Sequence, residues 1–132
     1  MNAFVQVCAA VSAAVVIGVA PFEAFRIHRP GVQRFLGIES EGLANVHLWS
    51  FCIGARNALV GVGTLVGLVM VNVGDRETGT VLVVACLVYL LFSALFMGLA
   101  DALGYWLPRG GSVRGVLGSG VLPAAALVAL AV

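Results

Sequence analysis

The sequence predicts an all-α fold, an integral membrane four-helix bundle, and three observations carry the prediction. Hydrophobic residues make up 61% of the chain and charged residues 10%, with a mean hydropathy of +1.10, whereas about a quarter of the residues in a soluble domain are charged. The apolar residues gather into four segments, each near the roughly 20 residues that a bilayer-spanning helix needs. Those segments, about 3–22, 48–72, 80–103 and 113–132, lie in helices expected at about 3–25, 41–72, 80–103 and 113–132, which use the whole 132-residue chain as a single transmembrane domain.

The first segment carries no ionisable side chain before Glu23, at its end. It lacks the positive leader of a signal peptide, its apolar run is too long, and Pro21 follows the only small-residue cleavage candidate, so it reads as a retained helix. Stepping back from Glu23 by helical turns gives Ala20, Val16, Ala13 and Ala9, a small-residue face of the kind that lets membrane helices approach closely. Glu23 is therefore expected to face a neighbouring helix.

Arg26 to His47 is the one substantial connection. Pro30-Gly31 is expected to break the first helix, with Val32, Phe35 and Leu36 forming an apolar side that lies on the membrane surface. Ser40 followed by Glu41 suits a helix start, because a hydroxyl caps free N–H groups and an acid suits the positive end of the helix. The second helix would then project from the bilayer, with Trp49 at headgroup level.

The apolar run Leu48–Asn72 contains Arg56 and Asn57. A guanidinium near the bilayer centre costs roughly 2.5–3.5 kcal/mol on insertion scales, so it needs a partner, a wet cavity or the nearby interface. Arg56 shares a helical face with Val60, Gly63 and Gly67. The Gly61–Gly67 stretch superficially resembles a dinucleotide fingerprint, but the spacing is wrong and no strand precedes it, so the glycines read as helix packing.

Gly74 to Gly79 is expected to be a tight hydrophilic connection. The third helix runs to Asp101, whose helical neighbours are Gly98 and Ala94. Tyr105 and Trp106 form an interfacial aromatic pair, and Pro108 to Gly111 turns the chain. Ser112 is the expected cap of the last helix, which repeats Gly111, Gly115, Ser119 and Pro123 at four-residue steps.

Arginine supplies every basic residue, and the abundance of Ala, Val and Gly fits a GC-rich bacterial genome. Arg26, Arg29, Arg34, Arg109 and Arg114 flank the first and third connections, against Arg76 alone on the other side. The positive-inside rule then places those two connections in the cytoplasm and both termini outside an inner, or plasma, membrane. A net charge of +1 argues against a nucleic-acid partner. Cys8, Cys52 and Cys86 lie inside helices without ligand spacing and read as packing. His28, His47, Glu39 and Glu41 match no metal motif, so neither a metal nor a cofactor is implied.

Glu23, Arg56, Asn57, Asp101 and Arg114 all fall toward one membrane face. An Arg between two carboxylates makes strong, charge-assisted hydrogen bonds, so these five are expected to form a polar cluster in the cytoplasmic half of the bundle. One reading is that they neutralise one another and set helix register. The other is a pocket for a lipid-like or small polar-headed molecule. Three functions follow: binding of a hydrophobic ligand or of partner helices, including a second copy; a membrane enzyme with Glu23 or Asp101 as acid/base beside Arg56; or a small proton-coupled transporter. The bilayer is a partner in all three, and binding is the preferred one.

The segment Glu23-Ala24-Phe25-Arg26, through Pro30-Gly31 to Phe35-Leu36-Gly37-Ile38, resembles the bacterial membrane family catalogued as domain of unknown function 1304. Gly54-Ala55-Arg56-Asn57 is similar to that family's second-helix signature, and Val121-Leu122-Pro123-Ala124 to its final motif. The chain departs from the pattern at Cys52 and Ile53, where the family has Asn-Gln, and at Arg56, where it has Tyr. The usual His in helix one is also replaced by apolar residues. Glu23, Gly54 and Asn57 are the matching positions. The resemblance implies a four-helix inner-membrane protein and supplies no activity.

Overall fold

The computed structural model describes residues 1–36 and 43–132, apart from the side chains of residues 44 and 45. It contains five helices: α1 Ala3–Phe25, α2 Pro30–Leu36, α3 Leu43–Val73, α4 Arg76–Ala102 and α5 Val113–Ala131. Among the described residues there is no strand. Four of the helices are long and apolar enough to cross a membrane.

Helix α1 starts where Asn2 accepts a hydrogen bond from the Val5 amide at 2.9 Å. Its buried residues include Val5, Ala9, Ala13, Val16, Ala20 and Ala24, so the small-residue face read from the sequence is the one turned inward. The connection that follows is more ordered than a surface loop. Pro30 opens the short helix α2 instead of only ending α1, because a fixed φ and a missing N–H suit a first helical position. Val32 and Leu36 are half-buried there and Phe35 is exposed. The expected helix start at Ser40 and Glu41 lies outside the described residues.

Helix α3 has 31 residues, about 46 Å at 1.5 Å per residue, and so exceeds a hydrocarbon core of about 30 Å. Gly74, at φ +146°, turns the chain, and Asp75 caps α4 by accepting from the Thr78 amide at 3.1 Å. The fourth helix thus begins at Arg76, a turn earlier than residue 80. Gly79 lies inside it and serves packing rather than turning, since a Cβ there would stand 2.7 Å from the Gly67 carbonyl oxygen. Ser112, expected to cap α5, has helical backbone angles and makes no side-chain cap; its hydroxyl serves Asp101 instead.

The long helices close into a ring in which α1 packs on α3 and α5, and α4 packs on α3 and α5. The apolar core is Val5, Cys8, Ala9, Leu68, Val83, Leu87 and Ala126. All of these lie in the half that holds the termini and the α3–α4 turn. Large apolar side chains cover the outside of the ring, among them Phe4, Leu59, Val69, Phe92, Phe96 and Val128. A soluble protein rarely exposes so much contiguous apolar surface. Facing lipid it costs nothing, and the four spans define a multi-pass membrane protein.

Candidate functional site

Asn72 donates to Gln6 at 3.0 Å in the core half, and the half of the ring away from the core carries the carboxylate contacts to Glu23 and Asp101. Ser50, Gly54, Asn57, Gly61 and Thr64 recur at four- and three-residue steps and form one face of α3. At Gly54 a Cβ would sit 2.7 Å from the Ala20 carbonyl oxygen and 2.9 Å from the Ala24 nitrogen, so only glycine allows α1 and α3 to come this close. The approach puts the Asn57 amide within reach of Glu23, to whose Oε2 it donates at 2.7 Å. About two turns earlier on α3, the Ser50 hydroxyl donates to the Glu23 backbone carbonyl at 2.6 Å. Glu23, Gly54 and Asn57, the positions matched in the family resemblance, are therefore one physical junction.

Arg56 is one residue from Asn57, a rotation of about 100° on a helix, and is exposed. Its stripe does meet α4, but only further along: a Cβ on Gly67 would lie 2.8 Å from Val83 and one on Gly63 would lie 3.2 Å from the Cys86 sulfur. Among the described residues no carboxylate forms an ion pair with Arg56. Counting back from Val73 at the α3–α4 turn, Arg56 lies about 25 Å along the axis, near the far edge of a core of about 30 Å. From that depth a long cationic side chain extends to the headgroups, which removes most of the insertion cost.

Asp101 belongs to a different helix pair. It is 5% exposed and accepts from the Gly110 amide at 2.8 Å, the Ser112 amide at 3.0 Å and the Ser112 hydroxyl at 2.6 Å. The carboxylate at the end of α4 thus holds the turn that starts α5. Beside it an open cleft of about 420 Å³ is lined by residues including Gly98, Asp101, Arg109, Ser112 and Val116. Arg114 is exposed.

The five residues read as one cluster are consequently divided. Glu23 and Asn57 join α1 to α3, Asp101 joins α4 to α5, and Arg56 and Arg114 point outward. The sequence reading missed Ser50 and the role of Ser112. Ser50 had a visible signal, its place on the Gly54–Asn57–Gly61 face. Ser112 had none, because its partner is set by how the α4–α5 turn folds back. His28 and His47 do meet, edge to face with ring centroids 4.7 Å apart, while Glu39 and Glu41 lie outside the described residues. Among the described residues no group of three or more His, Cys, Asp or Glu side chains is placed to hold a metal ion.

One prediction follows from the α1–α3 junction. Asn57→Ala is expected to lower stability by about 1–2 kcal/mol, since it leaves a half-buried Glu23 oxygen without its donor. Reversible unfolding in mixed micelles would measure the loss, and an unchanged unfolding midpoint would show that the hydrogen bond does not hold the helices.

Four apolar spans, tied by hydrogen bonds at Glu23, Asp101 and Gln6, define a small polytopic α-helical membrane protein. The family model described as "Protein of unknown function (DUF1304)" matches residues 10–131, and the chain belongs to that family. No curated protein and no solved structure matches it.

Proposed function

We propose that this protein is a non-catalytic membrane protein whose arginine-rich end binds a hydrophobic ligand with an acidic headgroup. The supporting observation is a charge imbalance. Six arginines, Arg26, Arg29, Arg34, Arg56, Arg109 and Arg114, fall in or beside the connections at one end of the bundle, against the four acids Glu23, Glu39, Glu41 and Asp101. Of the described acids there, Glu23 is bonded to Asn57 and Asp101 to Gly110 and Ser112, none to an arginine. The binding reading therefore moves from the buried polar groups to the outward-facing cations. Catalysis by Glu23 or Asp101 beside Arg56 gains less support, because the guanidinium is paired with neither. By the positive-inside rule this end faces the cytoplasm of an inner membrane and both termini face outside; a reporter fused after Val132 and reading the cytoplasmic side would reverse that orientation.

The experiment is purification in mild detergent followed by analysis of retained lipid. Acidic lipids are expected to be enriched over their share of the whole membrane, and Arg56→Gln to lower that enrichment about fivefold, in line with about 1 kcal/mol per basic residue near an anionic surface. Retained lipid with the composition of the bulk membrane would remove this reading. A second reading, association with partner helices, draws on Gly18 and Gly118, whose Cβ positions meet nothing within 4 Å; light scattering that finds only a monomer would count against it.

A further inference from the structure

The end of α1 and the short helix α2 enclose an open groove of about 380 Å³, lined by Phe22, Arg29, Gly31, Val32 and Phe35. Its described walls are almost wholly apolar, and Arg29 is the charged residue among them. A second cation stands beside it, with Arg26 Cζ 5.7 Å from the centre of the Phe22 ring. Among the described residues no carboxylate lines the groove, and Glu23, the acid adjoining Phe22, is held by Asn57 on the α3 side. Phe25 and Phe35 are 73% and 70% exposed, which fits a segment lying against lipid rather than water. The α1–α2 elbow follows directly on the end of a membrane span, so the groove sits at headgroup depth.

An apolar slot with a cationic rim at that depth is complementary to one kind of molecule, an amphiphile with an acyl chain and an anionic head. We propose that the groove seats a single anionic phospholipid, with its phosphate on Arg29 beside Arg26 and the first part of an acyl chain along Phe22, Val32 and Phe35. This rests on the reading of the arginine-rich end given above and assigns it a seat. Binding is saturable at one site rather than diffuse over the positive surface, because the acyl chain needs the apolar walls of Phe22, Val32 and Phe35 as well as a nearby cation.

Native mass spectrometry of the full chain, titrated with phosphatidylglycerol or phosphatidylcholine, tests the assignment. The wild type is expected to show one tight phosphatidylglycerol adduct, with phosphatidylcholine at least about fivefold weaker. Arg29→Gln should weaken the adduct about fivefold. Gly31→Trp should abolish it, since a Cβ at Gly31 meets nothing within 4 Å and the ring can fill the groove without disturbing the helix, as an unchanged melting temperature would verify. Arg76→Gln, at the opposite end, should leave it intact. If Arg29→Gln and Gly31→Trp keep the adduct while Arg56→Gln loses it, the groove is not the seat but the acidic-headgroup reading stands. Equal binding of the two lipids by the wild type would overturn both. Displacement of the adduct by millimolar inorganic phosphate would show a headgroup-only site and would equally sink the assignment.

Discussion

Leucine at Gly79 is expected to prevent the bundle from closing. The first atom of any side chain there would lie 2.7 Å from the Gly67 carbonyl oxygen and 2.7 Å from the Val71 nitrogen, both backbone atoms of the neighbouring helix. A flexible side chain in the way would rotate aside, but backbone can yield only if α3 and α4 move apart. Such a movement separates Val83 and Leu87 from Leu68 in the core. Overpacking ordinarily costs about 1–3 kcal/mol and occasionally more; with backbone on two sides, Gly79→Leu belongs above that range. Gly54→Leu should behave similarly, because its Cβ would meet the Ala20 oxygen and the Ala24 nitrogen at 2.7 and 2.9 Å. Gly61→Leu should be milder, its closest obstacle being the side chain of Ile17. Gly18→Leu, with nothing within 4 Å, is the matched control and should melt near the wild type. The measurement is the fraction of monodisperse protein after detergent extraction, together with its thermal midpoint. A Gly79→Leu variant as well behaved as Gly18→Leu would mean that α3 and α4 do not approach this closely.

These glycines also show where the sequence was legible. Four spans follow from run length and hydropathy, since a bilayer imposes both. The inner face of α1 follows from Ala9, Ala13, Val16 and Ala20 recurring at helical steps. Helix α3 was harder, because it has two packed faces: Gly54, Asn57, Gly61 and Thr64 toward α1, and Gly63 and Gly67 toward α4. Each stripe holds one polar residue at the same depth, Asn57 or Arg56, and periodicity alone does not say which stripe remains occupied along its full length. The close approaches to α4 are at Gly63 and Gly67, while Arg56 on the same stripe is exposed. The early start of α4 was hidden for a related reason: Gly79 looks like a turn residue, and only the helix opposite it shows why a side chain is excluded. The charge of Arg56 suggested a partner within the chain, yet an exposed cation near the headgroups is satisfied by water or lipid phosphate. A residue at that position needs interfacial chemistry more than a counter-ion.

Removing the Asp101 carboxylate should unfasten α5. Its two oxygens accept three hydrogen bonds from the α4–α5 turn, and the acceptors are buried together with Ser112. Asp101→Ala leaves two backbone amides and a hydroxyl without partners where water enters poorly, a greater cost than losing one bond. Ser112→Ala, which removes only the hydroxyl, is expected to cost about 1–3 kcal/mol, as for a hydrogen bond to a charged group. Asp101→Ala should therefore be clearly the worse of the two. Asp101→Asn should fall between them, because its single carbonyl oxygen can accept from the turn while its NH2 adds a donor among donors. Thermal unfolding of the three variants in one detergent gives the order directly. The order separates the two roles this carboxylate was assigned. As an acid/base group it would tolerate Asn with the fold intact and lose only activity. As the fastener of the turn it loses stability in step with the number of donors left unpaired, and α5 then releases from α1 as well as from α4, since both contacts depend on where the turn starts it. Equal midpoints for Asp101→Ala and Ser112→Ala would show that the two amides find other acceptors and that the turn holds without the carboxylate.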